Sequence, residues 1–181
     1  MKTIPSSLTL RVFSISLAAI LIVGAVVGCG KSSASKPEAS PPATAPTPVA
    51  ETILAAWEQG DSAGAIHQFL EADWSARPLF APGSAMNLSE AQFKALPVAE
   101  REAKSAETQA RLGALKKLAG AVAQAGLETA ARQDTPLARK HFAAVEHLGG
   151  ALDAPDSMLI VQLVGRALKK MAVAETAKLP Q

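Results

Sequence analysis

The chain has no tyrosine, two tryptophans and five phenylalanines, so aromatic residues make up only 4% of it. With so few large anchors, the core must come from aliphatic side chains and close helix contact. The body is also poor in β-branched residues and rich in Ala, Leu, Glu, Lys and Arg, which favours helix over sheet. A single cysteine, Cys29, excludes an intrachain disulfide, so packing alone must hold the fold. The three histidines, His67, His141 and His147, form no H-E-x-x-H and stand without metal-ligand spacing. The glycines are scattered through helical stretches and make no phosphate-binding loop. Ser84, in PGSAM, lacks the flanking glycines of a nucleophile elbow. We expect no cofactor, no metal site and no catalysis.

An excess of one charge is missing too. The formal net charge is +2, but Lys2 and Arg11 precede Cys29 and all 16 acidic residues follow it. Without the leading stretch, the 18 basic residues fall by two to 16, against 16 acidic ones. A neutral chain offers no basic face for nucleic acid.

The chain does hold one long uncharged apolar run, from Val12 to Gly28, behind a flank that carries Lys2 and Arg11. At about 17 residues it is short for a bilayer span and equally suits the core of a signal peptide. It ends in Val26-Val27-Gly28-Cys29-Gly30, which resembles the bacterial lipobox. The resemblance implies cleavage after Gly28, acylation of the Cys29 thiol and of the new N-terminus, and stable membrane anchoring through several acyl chains. It places the protein in the bacterial cell envelope, with its domain facing the periplasm or the exterior. Gly30 after the cysteine resembles outer-membrane sorting. Val27 is larger than the residue usual at its position. The alternative is an uncleaved anchor in which Cys29 is an ordinary small apolar residue.

This divides the chain into a signal peptide (1–28), a lipidated Cys29 with a disordered linker (29–50) and a helical domain (51–181). The linker is rich in Ser, Ala, Thr and Pro and has no large apolar side chain before Val49, so it cannot bury enough surface to fold. Its prolines stiffen it into a tether, at about 3.1 Å per residue.

Apolar spacing in the domain predicts an all-α fold. Residues 51–73 read as two helices broken at Gly60-Asp61, with Trp57 and Trp74 as core anchors. Leu79, Phe80 and Met86 pin an irregular stretch over 75–88. Ser89 with Gln92 is a capping-box pattern. A long helix is expected from Pro97 to about Arg132, bent or broken near Gly120 to Gly126. Its Ala99, Ala103, Ala106 and Ala110 form a small-residue stripe for close helix approach. Glu100 with Lys104, and Glu107 with Arg111, are spaced as i,i+4 pairs. A further helix, capped by Asp134 or Thr135, ends at Gly149-Gly150. The last begins at Pro155-Asp156-Ser157, with Leu159, Ile160, Leu163, Val164, Leu168 and Met171 on its apolar side.

One internal repeat stands out: Asp61 to Phe69 and Asp134 to Phe142 both read D-[ST]-x-x-A-x-x-x-F. Gly60, Asp61, Ala65, Phe69 and Ala72, and more loosely Asp134, Ala138 and Phe142, resemble the second helix of a tetratricopeptide repeat. In that family the Ala admits a paired helix and the Phe fills the gap between units. The resemblance covers two or three half-units, interrupted by the 75–88 stretch. Antiparallel helical hairpins are therefore expected, as an irregular bundle or a short tetratricopeptide-like solenoid. The function expected is non-catalytic binding of a protein or peptide partner. Self-association in a structural envelope lipoprotein is the alternative, and an envelope enzyme is a third.

Overall fold

The computed structural model describes residues 48–180, so Gly28, Cys29, the apolar run and most of the linker lie outside the described residues. Within them, α1 (Val49–Glu58), α2 (Ser62–Glu71), α3 (Glu90–Ala95), α4 (Val98–Ala131), α5 (Thr135–Leu152) and α6 (Leu159–Thr176) are joined by short turns and one irregular stretch that contains a 3₁₀ turn, Ala85–Asn87. The described residues contain no strand, and the architecture is all-α: α1–α2 and α5–α6 pair as hairpins against the long α4. Helix α1 starts two residues before the expected start of the domain at residue 51. Ala50 is buried, and its N–H donates to the Leu79 carbonyl at 3.1 Å, so this first turn belongs to the domain.

Local side-chain chemistry sets most of the helix starts. Asp61 caps α2 by accepting the Gly64 N–H at 2.9 Å, and Asp134 caps α5 by accepting the Leu137 N–H at 3.1 Å. At α3 the capping box forms in both directions: Ser89 Oγ accepts the Gln92 N–H at 3.1 Å and Gln92 Oε1 accepts the Ser89 N–H at 2.9 Å. The start of α6 departs from expectation. Its N-cap is Met158, and the Glu90 carboxylate on α3 satisfies the orphan Leu159 N–H at 3.1 Å.

Helix α4 runs 34 residues without interruption. The expected break near Gly120 to Gly126 does not occur. Gly120 faces open space, while Gly126 is a notch: a Cβ there would lie 2.9 Å from the Phe142 ring and 3.0 Å from His141 Cβ. Helix α5 likewise continues through Gly149-Gly150 to Leu152. Gly149 is needed at the crossing with α6, where a Cβ would sit 2.7 Å from the Gly165 carbonyl oxygen. Close approach, not termination, explains these two glycines.

Leu115, Leu118, Val122, Val145, Leu148, Leu152 and Val161 are fully buried and carry the main core together with Leu54 and Phe69. Each buried side chain of this size contributes about 1.5–3 kcal/mol relative to exposure. A smaller cluster gathers Ala123, Ala138, Phe142 and Leu179. The 75–88 stretch is pinned as expected by Leu79, Phe80 and Met86, all buried. Trp74 is buried beside Phe69, with ring centroids 4.8 Å apart, and its indole N–H donates to the Phe69 carbonyl at 3.2 Å. Trp57 is only half-buried.

The alanine stripe faces away from this core. Ala99, Ala103, Ala106 and Ala110 are all exposed, because the leucines one half-turn away decide which side of α4 is buried. The expected pairs on α4 are also replaced. Lys104 binds Glu107 at 2.9 Å, and Arg111 reaches across to Glu51 of α1 at 2.8 Å.

Candidate functional site

The repeat residues are all structural, and they make two nearly identical turns. After α1, Gly60 adopts a positive φ of 85°; its N–H donates to the Trp57 carbonyl and the Asp61 N–H to that of Ala56. After α4, Gln133 takes φ 64°, with the Gln133 N–H donating to Ala130 and the Asp134 N–H to Thr129. Both are Schellman closures that run straight into an aspartate cap. Four residues after each Asp comes a buried alanine, Ala65 or Ala138, and four later a buried phenylalanine, Phe69 or Phe142. Ala72 is half-buried at the end of α2. These residues are not brought to one surface: Phe69 lies in the main core and Phe142 in the smaller cluster.

Side chains considered for chemistry are committed locally. His141 is buried, with Nδ1 2.9 Å from the Leu137 carbonyl oxygen. Ser84 is buried and pins its loop: Ser84 Oγ donates to Glu107 Oε1 at 3.2 Å, and the Ala85 N–H donates to the same oxygen at 2.8 Å. Lys104 closes the clamp, donating to Glu107 Oε2 at 2.9 Å and to the Gly83 carbonyl at 2.8 Å. Burial pushes the Glu107 pKa up, but the hydrogen bonds from Ala85, Lys104 and Ser84 outweigh it and hold the carboxyl below its ordinary range. Among the described residues no cluster of three or more His, Cys, Asp or Glu side chains is placed to hold a metal ion.

A polar depression of about 600 Å³ lies where Trp74, Ser75, Glu146, His147 and Lys169 meet. Its cations are tied to neighbouring acceptors. Arg77 at its rim donates to the Ala151 carbonyl at 3.3 Å, and Lys169 leans 3.5 Å from Asp153. Asp73 is held below the ordinary carboxylate range chiefly by the Ser75 hydroxyl. No hydrogen bond among the described residues joins His147 to Ser75, Asp73 or Glu146, so no nucleophile–base pair is assembled there.

The second depression is apolar. Phe93 of α3, Ser105, Thr108 and Gln109 of α4, and Leu159, Ile160 and Leu163 of α6 enclose about 390 Å³. Leu159 is 53% exposed, Ile160 48% and Leu163 50%, so three large aliphatic side chains stand together at its mouth. This corrects half of the expected apolar side of α6: Val164, Leu168 and Met171 pack on the core, whereas Leu159, Ile160 and Leu163 do not. The buried stripe is Val161, Gly165, Leu168 and Ala172, and Leu159, Ile160 and Leu163 lie on another face. The excess was visible in the sequence, since α6 carries more apolar residues than one buried stripe accommodates. Phe93 and Gln109 carried no such signal, because only the tertiary fold sets them beside α6. The groove's polar atoms, such as Thr108 Oγ1 donating to the Lys104 carbonyl at 2.8 Å, are satisfied within α4. Such a surface offers shape and apolar contact area.

Among the described residues no helix is long and apolar enough to cross a membrane. Compared with family models, curated proteins and solved structures, the chain matches none of them.

Proposed function

We propose that this chain is a lipid-anchored protein of the bacterial cell envelope whose helical domain docks a protein or peptide partner without catalysing a reaction. The observation that carries the docking reading is the apolar groove between α3, α4 and α6, with Leu159, Ile160 and Leu163 exposed at its mouth. Contiguous exposed apolar side chains of this size mark interaction surfaces. The anchoring reading rests on the Val26-Val27-Gly28-Cys29 pattern behind the apolar run, and on the Pro-rich stretch that would hold the domain off the membrane. A tetratricopeptide-like origin of the hairpins is supported by the matched turns at Gly60-Asp61 and Gln133-Asp134.

The anchoring is tested by replacing Cys29→Ser, fractionating cells and measuring the mass of the N-terminus. The wild-type protein should sediment with membranes and begin at an acylated Cys29, and the variant should lose both properties. A wild-type N-terminus that remains at Met1 without lipid overturns this reading. Docking is tested by Leu163→Arg, which should leave helical content unchanged and abolish partner crosslinking from the groove.

A further inference from the structure

We propose that the occupant of the α6 outer face is a second copy of this chain, laid antiparallel across Leu163. The inference rests on the docking reading above and names its partner. Leu159, Ile160, Leu163, Ala167 and Lys170 fall on one side of α6 at helical spacing, and all five are exposed. The face has opposite charge at its two ends. At the start of α6, Asp156 and Glu90 lie beside Leu159. Two turns beyond Leu163 stands Lys170. Glu90 is paired with Lys94 at 3.1 Å, whereas neither Asp156 nor Lys170 has an ion-pair partner among the described residues.

An apolar patch with an acidic end and a basic end is complementary to itself turned around. A two-fold axis through Leu163 sets each residue opposite the one equally distant on the other side. Leu163 then meets its own copy, Leu159 meets the small Ala167, and Lys170 is carried past Leu159 toward the acidic end, where Asp156 stands in the turn before α6. Ile160 falls opposite Arg166, whose guanidinium is already held by Asp153 at 2.9 Å, so its methylenes are free to cover the isoleucine. A parallel arrangement would set Lys170 against Lys170 and Asp156 against Asp156. Exposed ion pairs add little affinity, but they select orientation and exclude the wrong register. Burial of the three aliphatic side chains supplies the driving force, and isologous contact closes at two copies.

The test uses the full chain in detergent solution. Sedimentation equilibrium should show a dimer. Asp156→Lys and Lys170→Asp should each weaken it by about tenfold, and the double charge reversal should restore it to within about threefold of wild type. In a Cys29→Ser background, where position 163 carries the single thiol, Leu163→Cys should give a disulfide-linked dimer on mild oxidation. A chain that stays monomeric through the micromolar range overturns the proposal. A dimer indifferent to both charge reversals, or not recovered in the double variant, places the contact elsewhere and overturns it as well. A photoreactive group at position 163 separates the two readings. If the chain is monomeric and that group captures a different protein in intact cells, homotypic pairing fails and docking stands. If it captures neither, both fail.

Discussion

Gly149 and Gly165 face each other across the crossing of α5 and α6. A Cβ on Gly165 would lie 2.6 Å from the Gly149 carbonyl oxygen, and one on Gly149 would lie 2.7 Å from the Gly165 carbonyl oxygen. Backbone meets backbone here, so no flexible side chain can give way. Gly165→Ala should therefore cost about 1–3 kcal/mol despite the better helix propensity of alanine. Gly113 and Gly120 face open space on α4, and alanine at either should stabilise by about 0.5–1 kcal/mol. Chemical denaturation of the three variants checks both signs.

Gln133 occupies the left-handed position that Gly60 occupies in the matching turn. A side chain there is strained where glycine is not. Gln133→Gly should stabilise by roughly 0.5–1 kcal/mol, and Gly60→Gln should destabilise by a similar amount. Thermal melts of the two variants would reveal opposite shifts. Shifts of the same sign would contradict the equivalence of the turns.

Glu107 ties the 75–88 stretch to α4 through Ser84, Ala85 and Lys104. Its folded pKa lies below the ordinary 4.5, so its contribution is present above that value and is lost as the pH falls through the folded pKa. Glu107→Gln should cost on the order of 1–2 kcal/mol at neutral pH, from hydrogen bonds to a charged acceptor. The gap between variant and wild type should narrow as the pH drops below 4.5. Melting temperatures across an acid series measure it. Asp153, held low chiefly by the Arg166 guanidinium, contributes with the same sign.

Trp74 donates its indole N–H to the Phe69 carbonyl. Trp74→Phe keeps an aromatic ring against Phe69 but removes the donor, and should cost about 1 kcal/mol. The emission left behind belongs to the half-buried Trp57 and should shift to the red.

The sequence was most informative where a side chain acts on its own backbone. The Ser89–Gln92 box caps α3 as expected, Asp134 rather than Thr135 caps α5, and Asp61 caps α2 in the same way, because that chemistry spans three residues. Leu112, Leu115, Leu118 and Val122, buried along α4, follow helical apolar spacing that a single segment displays. The glycines were harder to interpret. Local propensity makes Gly126 and Gly149 breakers, whereas the approach of a second helix makes them necessary, and no single segment carries that information. Gln133 hid a turn because its left-handed backbone lacks the residue that usually signals it. The groove was least legible: apolar spacing on α6 cannot say which of two apolar faces the other helices cover.

Helix α4 touches every other helix and the 3₁₀ turn, and through that shared partner the two hairpins lean on one another's support. Neither hairpin closes a core of its own, so neither can melt while the other persists. The domain should lose its structure in one step. Amides in the middle of α4, around Leu115 to Val122, should then exchange with solvent only when the whole domain opens.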